Sequence, residues 1–146
     1  EFHIYGAGNE LKKIKNYIKE NPNKGVCYCG SLTKKELNDI LHTYTASIVP
    51  LVSPIKGAVP SKIFELIKLG VPILYCGSGE AADIITNWKV GYINNCKDYN
   101  KLKRNIELFT KMKKSEYESL INRCKKISKT DLCFEKQITE LNNLLL

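Results

Sequence analysis

Short apolar runs alternate along this chain with segments whose apolar residues recur every three or four positions. Runs at residues 2–5, 26–29, 47–51, 73–76 and 91–93 read as strands, and the periodic segments 10–19, 34–43, 62–69 and 81–87 read as the helices between them. Regular alternation of this kind predicts an α/β fold, a Rossmann-like parallel sheet flanked by helices. The strands are apolar throughout instead of at every second position, as expected when both faces of a sheet are covered. After Gly91 the pattern changes. Residues 99–112, 116–127 and 132–146 are long amphipathic segments with no strand between them, which predicts a helical C-terminal tail. Thr33-Lys34-Lys35-Glu36 and Ser115-Glu116-Tyr117-Glu118 both have the spacing of a capping box, and 21–25, Asn-Pro-Asn-Lys-Gly, is a turn cluster.

The densest signal lies in residues 59–74. Pro60 and Ser61 open a helix, Ile63, Phe64, Leu66, Ile67 and Leu69 form a broad apolar surface, and Gly70 with Pro72 stops it before a buried strand. Glu65 stands out among these apolar neighbours. A helix that follows a strand points free N–H groups and the positive end of its dipole beyond the sheet, which suits a phosphate. A carboxylate one turn inside can reach a ribose hydroxyl. Glu65 as a solvent-facing helix residue is the alternative. The backbone of Ser61, Lys62 and Ile63 is the expected diphosphate cradle, with the Lys62 ammonium either turned inward or simply on the surface.

The stretch Pro-Ser-Lys-Ile-Phe-Glu followed by Gly-Val-Pro-Ile resembles the nucleotide-sugar-binding half of GT-B glycosyltransferases, in particular the retaining family often called family 4, the glycosyl transferases group 1. The resemblance runs from about Phe2 to about Phe109. It includes Ile4-Tyr5-Gly6-Ala7-Gly8-Asn9-Glu10, Val26-Cys27-Tyr28-Cys29-Gly30-Ser31-Leu32, Ala46-Ser47-Ile48-Val49-Pro50-Leu51 and Gly91-Tyr92-Ile93. It implies a nucleotide-sugar-binding domain over 1–109 and a helical extension over 110–146 that packs on it or on an N-terminal lobe. It further implies that Glu65 holds the ribose, that Gly6 and Gly8 allow close backbone approach to the ligand, and that Ser31 and Leu32 shape the base pocket. A tight turn without a ligand explains the two glycines equally well. A second glycine-rich turn, Gly77-Ser78-Gly79-Glu80, is a weaker candidate for ligand contact.

Two departures from the family pattern stand out. The family often carries a second glutamate eight positions before the one at Glu65, and here that position is Gly57, which leaves sugar recognition to Ser53, Lys56 and the backbone of residues 57–59. The strand ending in Gly-Arg and the following Lys that usually hold the diphosphate do not appear. The chain begins with Glu1 and goes straight into a strand, so it reads as part of a longer enzyme whose sheet either closes differently or dimerises across the gap.

At 146 residues the chain is long enough for one substantial core. Its formal charge of +8 suits an anionic ligand, a nucleic acid or an acidic membrane surface. From Lys101 onward eleven Lys and Arg stand against six Asp and Glu, spread over helical patterns without the arginine clustering of a base-reading surface. A solvated basic face is the first reading, peripheral contact with the inner membrane face the second, and nucleic acid is not expected. Of the six cysteines, Cys27, Cys76 and Cys96 fall in or beside strands and read as small packed thiols. Cys27 and Cys29 share a strand face, but two ligands without a nearby histidine make a poor metal site. His3 and His42 read as structural. No apolar run approaches the about 18 residues of a membrane span, and a cytoplasmic location with reduced thiols is expected.

The expected function is thus the donor-binding part of an enzyme that transfers a sugar from a nucleotide-sugar, a UDP-sugar on family frequency, to a saccharide or lipid-linked acceptor, as in cell-surface polysaccharide synthesis. No cofactor or metal is expected, and the catalytic residue is expected in the other lobe, so this piece alone should be inactive. A nucleotide-sugar epimerase of the same fold and a non-enzymatic Rossmann-like binding module are the alternatives.

Overall fold

The computed structural model describes residues 1–53, 55 and 57–145. The chain divides into two compact units, Glu1–Ile40 and Leu41–Leu146, taken in turn.

The first unit contains β1 (Phe2–Ile4), α1 (Leu11–Glu20), β2 (Val26–Tyr28) and most of α2 (Lys34–Leu41). The strands pair in parallel, with Phe2 beside Val26, His3 beside Cys27 and Ile4 beside Tyr28. Helix α1 lays Leu11, Ile14 and Ile18 on one half-buried stripe against β2 and turns its lysines outward. The capping box at Thr33 forms as expected. The Thr33 N–H donates to Glu36 Oε2 at 2.8 Å and the Glu36 N–H to Thr33 Oγ1 at 3.3 Å, and the Thr33 N–H together with the Thr33 hydroxyl, 2.7 Å from Glu36 Oε2, holds the Glu36 carboxyl below its usual range.

The second unit contains β3 (Ser47–Pro50), α3 (Ser61–Lys68), β4 (Ile73–Cys76), α4 (Glu80–Trp88), β5 (Gly91–Asn94), α5 (Tyr99–Lys111), α6 (Lys114–Lys129) and α7 (Phe134–Leu145). Its three strands are parallel in the order β3-β4-β5. The central strand is buried along its whole length, which is why Ile73, Leu74, Tyr75 and Cys76 read as a continuous apolar run. The buried core of this unit also takes in Ile63, Leu66 and Ile67 of α3, Ala81, Ala82 and Ile85 of α4, and Leu120, Cys124 and Ile127 of α6. Burial pushes the Cys124 thiol up to about 11.

Every element expected from periodicity is present, within two residues at nearly every end. Among the described residues the strand pairing lies within each unit, β1-β2 in the first and β3-β4-β5 in the second, all of it parallel as expected. Periodicity identifies strands but carries no information about which edges meet. Helix α6 lies beyond the division expected after Phe109, yet it packs on α3 within its own unit. The second expected capping box is corrected. Helix α6 starts before Ser115, with Lys113 at its N-cap and the Lys113 N–H donating to Glu116 Oε2 at 3.4 Å, because Glu116 serves a start one turn earlier. In α7 no side chain is buried, and Ile138, Leu141, Leu144 and Leu145 of the apolar end are exposed, while Leu146 lies outside the described residues.

Tyr75 is fully buried on β4, and among the described residues its hydroxyl has no hydrogen-bond partner. Burial raises its ionisation above the usual phenol range. A buried, unsatisfied hydroxyl carries its full desolvation cost, so Tyr75→Phe is expected to raise stability by about 1 kcal/mol. Urea unfolding followed by circular dichroism measures this, and a loss of stability would show that the hydroxyl is paired in solution.

Candidate functional site

Helix α3 follows the carboxyl end of β3. The chain leaves β3 at its carboxyl end, crosses a loop and enters α3 with Pro60 as the N-cap residue, φ −59° and ψ 125°, and with no side-chain cap. Proline suits the helix entry because its φ is already near the helical value. The helix ends on Gly70 at φ +73°, where Gly70 N–H donates to Ile67 O at 3.0 Å and Val71 N–H to Leu66 O at 2.9 Å, the paired bonds of a glycine C-terminal cap. Burial of Ile63, Leu66 and Ile67 fixes the rotation of the helix and leaves Lys62 and Glu65 on its opposite side, each only partly exposed.

One of the three amides of the expected cradle has a backbone partner. Ile63 N–H donates to Pro60 O at 3.0 Å. The N–H groups of Ser61 and Lys62 have no backbone acceptor among the described residues and are the ones available to an anion. Lys62 Nζ and Glu65 Oε2 lie 3.1 Å apart. The lysine assigned to phosphate and the carboxylate assigned to ribose are therefore neighbours, and a nucleotide would exchange this half-exposed ion pair for two separate contacts.

The glycine-led helix α4 differs from α3 in the charge at its start. Helix α4 carries Glu80 and Asp83 in its first turn, which already oppose its dipole and repel an anion, whereas the first turn of α3 carries no acidic residue. The glycine turn before α4 also has a packing explanation. A Cβ on Gly77 would sit 2.4 Å from the Tyr75 ring, so this glycine makes room for a core side chain.

The loop ahead of α3 explains the missing second glutamate. Gly57 adopts φ +75°, a conformation that a glutamate would enter only with strain. Ser53 is exposed, and Lys56, the other expected sugar contact, lies outside the described residues.

In the first unit the structure brings Gly6, Ser31 and Leu32 to the carboxyl ends of β1 and β2. Gly6 N–H donates to Gly30 O at 2.9 Å and Tyr28 Oη–H to Gly6 O at 3.0 Å, tying the two turns together. Gly6 has φ +129°, a backbone requirement in its own right. A Cβ on Gly8 would meet nothing within 4 Å, Ser31 is exposed and Leu32 half-buried.

A family model described as Glycosyl transferases group 1 matches residues 1–127. The chain belongs to that family. The match reaches beyond Phe109 to take in most of α6, in keeping with the packing of that helix on α3. Membership sets the general chemistry of this group 1 glycosyltransferase chain as glycosyl transfer. A search of the curated proteins gives no match. Among the described residues, no helix of the glycosyltransferase chain is long and apolar enough to cross a membrane.

Sequence reasoning missed one constellation. His3, read as structural, stands in register with Cys27 on the neighbouring strand. Only strand pairing could reveal it, since 24 positions separate the two in sequence.

Proposed function

We propose that this chain grips the nucleotide of a nucleotide-sugar donor at the start of α3, with the donor a UDP-sugar and the acceptor a saccharide or a lipid-linked sugar. Glu65 accepts hydrogen bonds from the ribose hydroxyls. The Ser61 and Lys62 amides and the Lys62 ammonium meet the diphosphate and stabilise the charge that develops on it as the glycosidic bond breaks. The observation that carries this reading is the placement of a partly exposed Glu65 one turn inside an acid-free helix start.

Calorimetric titration of the chain with UDP, ADP and GDP tests it. UDP is expected to bind more tightly than the other two, and Glu65→Ala to weaken that binding by about tenfold or more, the effect of losing hydrogen bonds to a charged group. The Lys62–Glu65 pair is half-exposed, so the variant should lose under about 1 kcal/mol of stability, which separates a binding defect from unfolding. Binding indifferent to Glu65 would overturn the ribose assignment, and equal affinity for the three nucleotides would overturn the choice of uridine.

A further inference from the structure

Parallel pairing sets His3 of β1 beside Cys27 of β2. Side chains alternate along a strand, so Glu1 shares a face with His3. A histidine nitrogen, a thiol sulfur and a carboxylate oxygen of these three residues all lie within 4.8 Å of one another. His3 Nε2 and Glu1 Oε2 are 3.1 Å apart. His3 and Cys27 are half-buried and Glu1 is exposed, so the cluster is reachable from solvent at Glu1.

We propose that Glu1, His3 and Cys27 form a binding site for a zinc-class divalent cation, with the fourth tetrahedral position open to water. Zinc takes nitrogen, sulfur and oxygen ligands at about 2.0–2.3 Å, which sets ligand atoms roughly 3.3–3.8 Å apart around a tetrahedron. His3 Nε2 and Glu1 Oε2 already stand near that spacing at 3.1 Å, and the Cys27 sulfur, within 4.8 Å of the other ligand atoms, has at most about 1 Å to close. The thiol gives up its proton as it binds. A mixed nitrogen, sulfur and oxygen set selects zinc over calcium or magnesium, which prefer oxygen alone.

A second observation says what such an ion would do. No side chain between residues 1 and 40 is fully buried, so the first unit by itself lacks a closed apolar core. Small units short of a core are commonly held by a metal or a disulfide. The six cysteines are all free, and a cation bridging β1 to β2 would supply that tie. Cys29 lies two residues further on, just past the end of β2, and outside the cluster.

Titration of the reduced chain with Co2+, a coloured stand-in for Zn2+, reads the site directly. The expected result is one equivalent of tetrahedral cobalt with a sulfur-to-cobalt charge-transfer band, displaced by Zn2+. Cys27→Ser should abolish the band, His3→Asn and Glu1→Gln should each weaken binding at least threefold, and Cys29→Ser should retain it. Circular dichroism checks the fold of each variant. Because Glu1 is exposed, Glu1→Gln reports on the site even if Cys27→Ser does not fold. Absence of a thiolate band, its survival in Cys27→Ser, or unchanged affinity in both His3→Asn and Glu1→Gln would overturn the proposal.

Discussion

Gly91→Ala is expected to destabilise the second unit by about 3 kcal/mol or more, a cost at the upper end of overpacking. Gly91 opens β5 directly beside Ile73 of the central strand. A Cβ there would lie 1.9 Å from the Ile73 carbonyl oxygen and 2.7 Å from its carbon, both backbone atoms that no rotamer change can move. Ile73 N–H donates to Val90 O at 3.1 Å in the same stretch, so relief by shifting β5 would break the ladder that joins it to β4. Domains are stable by only about 5–15 kcal/mol in total, so a loss of this size lowers the unfolding midpoint clearly. Trp88, the single tryptophan, lies at the end of α4 just before β5 and reports on this region by fluorescence during urea unfolding. A change under about 1 kcal/mol would mean that the close approach of the two strands relaxes without cost.

Ile63→Ala is expected to cost about 2–5 kcal/mol, the range for truncating a fully buried isoleucine, while Ile63→Val should cost about 1 kcal/mol. Ile63 has no exposed surface and, with Leu66 and Ile67, anchors α3 to the core. Its N–H donates to Pro60 O at 3.0 Å and its side chain is part of the core, so its expected part is to hold the helix. The two variants separate these roles. If Ile63 acts through packing, nucleotide affinity measured well below the unfolding transition should stay within a few fold in Ile63→Val, whereas Glu65→Ala loses affinity with little change in stability. An Ile63→Ala variant as stable as the parent would show that α3 is held by something other than its buried stripe.

These residues also mark how far the sequence could be read. The α3 segment was legible because its signals are local: proline at the entry, apolar residues at helical spacing, glycine in the left-handed conformation at the exit. Glu65 was legible for the same reason, as the one acid among apolar neighbours. The capping box at Thr33 could be read from four residues, but the one placed at Ser115 could not, since a helix start depends on which backbone bonds close first and Glu116 serves an earlier one. The pairing of Lys62 with Glu65 and the engagement of the Ile63 amide are matters of a few tenths of a nanometre that spacing alone does not resolve.

The sequence by itself determined the element order, the parallel α/β class, the family and the helix that offers the candidate nucleotide contacts, because each follows from periodicity, capping and turn chemistry within short windows. Tertiary structure alone decided the rest. It paired β4 with both β3 and β5, set Gly91 against the Ile73 carbonyl, made Gly77 a space for Tyr75, and brought His3 beside Cys27. The physical reason is common to all four: strand register and close backbone approach join residues far apart in the chain, and no local pattern encodes a contact whose other half lies tens of residues away.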